Sequence, residues 1–395
     1  MIFVDVISMI FTTLWIISSA TVLGSNYYPP DVIEDARLET DQLIQKYKYP
    51  VETHFIITSD KYILRMHRIP KPGGKPVLLQ HGLLDSSATY ILMGPSIGLG
   101  YYLYDLGYDV WMGNARGNRY SRNHTTLNPD TDTAFWNFSW HEIAVFDIPA
   151  MIDFILRNTD SEKLMYVGHS QGTTILFVMC SIRPEYNDKI IVGHALAPVA
   201  FMKHIRTPLL PLGDSAFQLP VVKAMMYELL PNSDLFRGTC LSGKNAEDVC
   251  ITFYFMIVGK DVKQFNRTRF PMVLGHLPAG IATKQVLHYL QLIKSDKFRQ
   301  YDCELDNKKV YGQNEPPDYD LKKVTAPIAL HYSLNDYLTE PVDILRLSKL
   351  LPNVVEINKL KPPLWNHMDF VWAVDARKLI YKKIHEINKK FWIEK

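Results

Sequence analysis

The sequence predicts an α/β fold: a mostly parallel sheet covered by helices on both faces, with one helical subdomain inserted into it. Three observations carry this prediction. Short apolar runs that read as strands alternate with longer runs of helical spacing between residues 76 and 196. The alternation stops near residue 200, in a stretch holding Pro208, Pro211, Pro220, Pro231, Pro271 and Pro278, and resumes at Ala326. The glycine-flanked serine of Gly168-His169-Ser170-Gln171-Gly172 stands where one strand passes into one helix.

The chain has 395 residues, 47% hydrophobic and 21% charged, an ordinary globular composition that excludes a disordered, collagenous or coiled-coil chain. Lys and Arg number 43 against 41 Asp and Glu, without a basic arm, which argues against nucleic-acid binding. The uncharged run from Val6 to Ile17, followed by Ser18, Ser19 and Ala20, reads as a secretory signal over residues 1–20, although Asp5 replaces the usual basic start. An uncleaved anchor is the alternative. No later run reaches the ~20 apolar residues that span a bilayer. The expected division is a signal at 1–20, a core at 21–199 and 323–395, and a helical cap with a lid at 200–322.

Each element follows from its local pattern. Residues 51–69 alternate around Ser59-Asp60-Lys61, as a hairpin does. Pro76–Gln80 is a short apolar run after a Gly-Gly turn, a buried strand. A helix over 94–106 and a strand over 108–112 follow. Apolar spacing predicts a helix over 141–157, a strand at 164–167, a helix over 171–183 and a strand at 190–196. In the insertion, 217–230 and 249–259 read as helices. After it come a strand at 326–332, a helix at 342–351, a strand at 353–357 and a closing helix over 370–391.

A secretory route gives meaning to three sequons, at Asn123, Asn137 and Asn266. It also permits disulfides. Cys240 and Cys250 flank a short polar stretch and could form a small clamp worth roughly 2–3 kcal/mol. Cys180 lies in an apolar run and reads as a buried thiol, and Cys303 has no assigned partner.

The chemistry centres on Ser170. Strand 164–167, the tight Gly168-His169-Ser170-Gln171-Gly172 turn and the helix after it form the strand–turn–helix of a nucleophile elbow. Gly168 and Gly172 are small because the turn is tight. A serine hydroxyl is a weak nucleophile and needs a base, which in turn needs an orienting acid. In this arrangement both partners follow the serine. His367, in a loop before the closing helix, is the candidate base, and His385 lies within that helix. Asp336 follows strand 326–332 and is the candidate acid. Asp343 falls inside the next helix, and Asp369 is too close to His367 in sequence to orient it. The developing oxyanion needs backbone donors, for which the N–H groups of Gln171 and of Leu83, in His81-Gly82-Leu83-Leu84, are the candidates. No His/Cys/Asp cluster has metal-ligand spacing, and no metal or cofactor is expected.

These segments together resemble the acid lipases, the gastric and lysosomal group within the α/β-hydrolases. The resemblance rests on His81-Gly82-Leu83-Leu84-Asp85-Ser86, Asp109–Gly117, Phe135–Ser139, Gly168–Gly172, Asn335-Asp336 and Asn366–Phe370, over about residues 30–390. It implies an eight-stranded core sheet with a helical cap and lid. It carries a triad onto Ser170, Asp336 and His367, oxyanion donors onto Leu83 and Gln171, and a disulfide onto Cys240 and Cys250. It implies neutral lipid esters as substrates, triacylglycerols and sterol esters, met at a lipid–water interface in a secreted or lysosomal setting. Two positions depart from the family pattern: Lys61 stands where a glycine is usual, and Cys303 where an aromatic is common. The insertion is rich in large apolar residues, among them Phe217, Leu219, Met225, Phe253 and Met256, which suits a cap that opens onto a lipid phase through motion around 230–262. A carboxylesterase or acyltransferase acting on smaller esters, and a catalytically silent lipid-binding protein, remain the alternatives.

Overall fold

A computed structural model describes residues 28–208 and 227–392. The expected signal segment and most of the expected helix at 217–230 lie outside these residues. After two short helices, α1 (Pro30–Asp35) and α2 (Thr40–Lys46), the hairpin forms as β1 (Glu52–Ile57) and β2 (Ile63–Ile69). Then come β3 (Pro76–Gln80), α3 (Leu99–Asp105), β4 (Asp109–Gly113), α4 (Ile148–Thr159), β5 (Leu164–His169), α5 (Gln171–Ile182) and β6 (Ile190–Leu196). The insertion contributes β7 (Glu228–Leu229), α6 (Asp234–Cys240), α7 (Lys244–Val258), α8 (Phe270–His276), β8 (Ile281–Ala282) and α9 (Thr283–Ser295). The chain closes with β9 (Ile328–Tyr332), α10 (Pro341–Leu350), β10 (Val354–Lys359) and α11 (Lys382–Trp392).

The main sheet has eight strands in the order β1-β2-β4-β3-β5-β6-β9-β10. β1 and β2 pair antiparallel, as do β2 and β4, and every later pairing is parallel. Side chains alternate across a strand, so β3 feeds both cores. Leu78 packs with Trp111, Tyr166, Ile152 of α4 and Ile175 of α5 on one face. Val77 and Leu79 pack with Val110, Met112, Leu103 of α3 and Ile384 of α11 on the other. Strands buried on both faces explain why β3, β5 and β6 read as continuous apolar runs.

Three expected helices are altered, each for an identifiable reason. The helix at 141–157 becomes a short helix Trp140–Glu142, a wider π turn Ile143–Asp147 and α4. Pro149 has no N–H to give the Val145 carbonyl, and Arg183 supplies that bond instead at 3.1 Å. Glu228 and Leu229, expected at the end of a helix, pair antiparallel with Ala282 and Ile281. The closing helix is broken: Asp369–Trp372 is a separate turn of helix, and Gln264 of the insertion accepts from Val374 N–H at 3.1 Å through its backbone and from Asp375 N–H at 3.1 Å through its side chain.

The Cys240–Cys250 disulfide is present and ties α6 to α7, while Cys180 is a buried free thiol whose ionisation burial pushes up to about 12. Cys303 is a half-buried free thiol. Lys61 has φ 76°, the left-handed conformation that favours glycine. Its backbone N–H donates to Thr58 at 2.9 Å, so the turn closes in spite of the side chain. Lys61→Gly is expected to relieve about 1 kcal/mol of strain, part of which is lost to the freer unfolded chain. A melting temperature raised by about 1–3 °C is the expected reading, and an unchanged or lower value would contradict it.

Candidate active site

The site sits at the carboxyl ends of the parallel strands, where loops leave the sheet. Ser170 follows β5 directly and has φ 53° and ψ −120°, a strained conformation for a residue with a side chain. The crowding that forces it is local. A Cβ on Gly172 would lie 2.2 Å from the Gln80 carbonyl oxygen, and one on Gly168 would lie 2.5 Å from the Gly172 carbonyl oxygen. Ser170 N–H donates to Leu196 at 3.0 Å, holding the turn against β6. The hydroxyl is thereby lifted clear of the sheet.

His367 Nε2 lies 2.8 Å from Ser170 Oγ, and His367 Nδ1 lies 2.8 Å from Asp336 Oδ2. Asp336 is fully buried. Its Oδ1 accepts from Leu338 N–H at 2.9 Å and Thr339 N–H at 3.0 Å, and its Oδ2 from the Thr339 hydroxyl at 2.7 Å. These donors satisfy a buried carboxylate and leave it aimed at the imidazole. Asp369 is not the orienter of His367: its Oδ2 accepts from Asn366 N–H at 2.7 Å. His385 is remote, half-buried on α11 against the Tyr108 hydroxyl at 3.0 Å.

The backbone N–H groups of Gln171 and Leu83 have no acceptor among the described residues. The loop carrying Leu83 is fixed by His81. Ala115 N–H donates to His81 Nε2 at 3.1 Å, so Nδ1 carries the proton and donates to the Gly82 carbonyl at 2.8 Å. Burial pushes this imidazole down to about 4, which keeps it neutral in that tautomer. Gly82 admits no side chain freely, since its Cβ would stand 3.0 Å from Ser170 Cβ. His169 Nε2 donates to the His367 carbonyl at 2.8 Å, joining the elbow to the histidine loop. Burial holds His169 down to about 3.

The insertion grips every part of this site. Ala279 N–H donates to the Leu84 carbonyl at 2.8 Å, and Gln285 Nε2 donates to Gln171 Oε1 at 3.2 Å. His367 N–H donates to the Val258 carbonyl at 3.1 Å, Asn366 Nδ2 to the Gly259 carbonyl at 3.0 Å and Asn335 Nδ2 to the Lys260 carbonyl at 3.1 Å. Residues 258–260, inside the stretch expected to move, are thus bonded to the loops of both Asp336 and His367. None of these contacts has a local sequence signal, since each joins residues far apart in the chain.

Gly259 is the tightest point of that contact. Its φ is 99° and its ψ 147°, and a Cβ would lie 2.0 Å from the Asn335 carbonyl oxygen. Gly259→Ala is expected to cost about 2–4 kcal/mol of stability. The displaced loops should also lower kcat at least about tenfold with KM little changed. Steady-state kinetics with a parallel melt check this, and a variant with wild-type kcat would contradict it.

Asn123 and Asn137 are exposed, the latter accepting from Lys284 Nζ at 3.0 Å. Asn266 is half-buried, and its side chain accepts from Arg269 N–H at 3.3 Å. Among the described residues no group of His, Cys, Asp and Glu is placed to hold a metal, and no helix is long and apolar enough to cross a membrane.

A family model for the partial alpha/beta-hydrolase lipase region matches residues 40–94, and one for the alpha/beta hydrolase fold matches residues 75–210. Lipase 1 of Drosophila melanogaster is 46% identical over 358 residues, covering 90% of this chain and 81% of that protein. The gastric triacylglycerol lipase of Homo sapiens is 37% identical over 366 residues, covering 89% of this chain and 90% of that protein. Among solved structures, a Sulfolobus solfataricus protein superposes with a TM-score of 0.58 at 14% identity, covering 83% of this chain and 90% of that one, a likeness of fold.

Proposed function

This chain belongs to the acid lipase family of α/β-hydrolases, and we propose that it hydrolyses triacylglycerol through a triad of Ser170, His367 and Asp336. The hydrogen-bonded line from Asp336 through His367 to the Ser170 hydroxyl, at 2.8 Å on each side of the imidazole, carries this reading. Ser170 Oγ attacks the ester carbonyl carbon while His367 Nε2 takes its proton. The carbonyl oxygen becomes an oxyanion held by the N–H groups of Leu83 and Gln171. The tetrahedral intermediate collapses, the C–O bond to the glycerol oxygen breaks, and His367 returns the proton to that oxygen. Water then attacks the acyl-enzyme, its proton passing through His367 to Ser170, and the fatty acid leaves. Asp336 holds the imidazole in the required tautomer and stabilises its cation.

The cap suits a lipid phase. Leu235 is 70% exposed, Val249 65%, Phe253 41% and Met256 46% on neighbouring faces of α6 and α7, beside the disulfide. The division into a core at 21–199 and 323–395 and a cap at 200–322 belongs to the same reading. So do passage through a secretory route to a secreted or lysosomal setting, and glycans at Asn123, Asn137 and Asn266. The test compares emulsified trioleoylglycerol with a soluble short-chain ester. Hydrolysis of the emulsion is expected. Hydrolysis of the soluble ester alone would replace a lipase with a carboxylesterase.

A further inference from the structure

We infer that Arg206, at the entry of the insertion, is a positioning residue for Asp336: its guanidinium fixes the loop that aims the carboxylate at His367, acting through that loop rather than on the ester. This inference rests on the triad reading above. Residues 333–340 connect β9 to α10 without regular structure, so their carbonyl groups need donors from elsewhere. Arg206 is such a donor. Its Nη2 donates to the Leu334 carbonyl at 2.7 Å and to the Asp336 carbonyl at 3.2 Å. Its Nε donates to the Glu340 carboxylate at the far end of the loop. One planar fork thus spans the loop from Leu334 to Glu340, with Asp336 between them. The guanidinium also lies over the Tyr337 ring, 4.7 Å from its centroid.

The backbone of the same segment runs along the loop. The N–H groups of Arg206 and Thr207 both donate to the Tyr337 carbonyl, at 2.9 and 3.0 Å, and His204 N–H donates to Asp343 Oδ2 at 3.1 Å. The donors to the Asp336 carboxylate are different: they belong to Leu338 and Thr339, inside the loop itself. Those bonds set the carboxylate against the loop, and Arg206 sets the loop against the insertion. The 2.8 Å contact from Asp336 Oδ2 to His367 Nδ1 depends on both. Charge works in the same direction. Burial pushes the Glu340 carboxyl up, Arg206 pulls it back down, and Asp336 and Asp343 push it further up. Arg206 is the cation set against this group of carboxyls. The strap at residues 258–260 holds the loop from the other side, through the bond from Asn335 Nδ2 to the Lys260 carbonyl. Losing Arg206 therefore loosens the loop without releasing it.

A double-variant cycle separates this from a purely structural role. Wild type, Arg206→Met, Arg206→Lys, Asp336→Asn and the double variant Arg206→Met with Asp336→Asn are compared as kcat and KM on emulsified trioleoylglycerol, with a melt of each. The Arg206 side chain is 42% exposed, and its variants are expected to fold. Expected for Arg206→Met is a kcat lower by about tenfold or more, with KM within about twofold of wild type. Arg206→Lys keeps the charge, but one ammonium cannot bond two carbonyls and Glu340 in one plane, so its kcat is expected to fall at least about threefold. This variant carries the test if Arg206→Met melts early. In the Asp336→Asn background, Arg206→Met is expected to cost less than about twofold, because the group that Arg206 aims is already lost. A purely structural role would lower kcat by the same factor in both backgrounds. Equal losses in the two backgrounds, or wild-type kcat in either Arg206 variant, would overturn the inference. An Asp336→Asn enzyme with kcat near wild type would overturn the triad reading itself.

Discussion

Ser170→Ala is expected to lower kcat on emulsified triacylglycerol by about a million-fold, with the fold intact. The hydroxyl stands on the strained apex of the elbow, at φ 53° and ψ −120°, within 2.8 Å of His367 Nε2, and the methyl group that replaces it has no nucleophilic atom. His367→Ala should cost about as much, and the double variant little more, because the two act as one unit. Asp336→Asn should lose about ten-thousand-fold, since an amide facing Nδ1 favours the wrong tautomer. Melting temperatures near wild type for the serine variant make the loss chemical. A Ser170→Ala enzyme with even a tenth of wild-type kcat would mean that another residue reacts.

Arg116→Met is expected to be the most damaging single change for stability away from the site. Arg116 is 2% exposed and joins three parts of the chain. Its guanidinium bonds Asp60 in the hairpin turn, from Nη1 at 2.5 Å and Nη2 at 2.9 Å, and Asp147 in the π turn, from Nε at 2.8 Å. It also lies over the Tyr62 ring at 3.9 Å. Burial disfavours its charge, and the Asp147 and Asp60 carboxylates outweigh that, raising its pKa. Removing the cation leaves Asp147, which is fully buried, without its partner. Breaking such a pair from one side costs about 3–5 kcal/mol. Arg116→Met with Asp147→Leu should recover much of the loss, because removing both charges is far cheaper than stranding one. Denaturant melts of the single and double variants check this, and a single variant within 1 kcal/mol of wild type, on the order of a surface substitution, would contradict it.

The parts of this protein that obey short periods were legible in the sequence. Strands β3, β5, β6 and β9 and the hairpin were readable because apolar alternation and turn residues are local. Ser170 was readable because Gly168 and Gly172 report the crowding that shapes the elbow. Asp336 and His367 followed from chain order and from loops after strands. Contacts across the chain were not legible. The carbonyls of Val258 and Gly259 that accept from His367 N–H and the Asn366 side chain come from a segment more than a hundred positions earlier. Gly259 and Gln285 carry no local sign that they touch Asn335 and Gln171. The break in the closing helix was hidden for the same reason, since it depends on Gln264 arriving from the insertion, whereas the π turn before α4 has a local sign in Pro149. Lys61 lies between these cases: the resemblance marks it as unusual, and its φ of 76° shows why a glycine suits that turn.

The most direct test of the proposed triad is covalent trapping with a long-chain alkyl phosphonate ester, followed by mapping of the modified residue by mass spectrometry. The phosphorus takes the place of the ester carbonyl carbon and stops at the first half of the reaction. One label per chain on Ser170, formed at least about a thousand-fold more slowly in His367→Ala, is the predicted result. A label on another residue, or no label on folded and soluble protein, would contradict the assignment of Ser170 as the nucleophile.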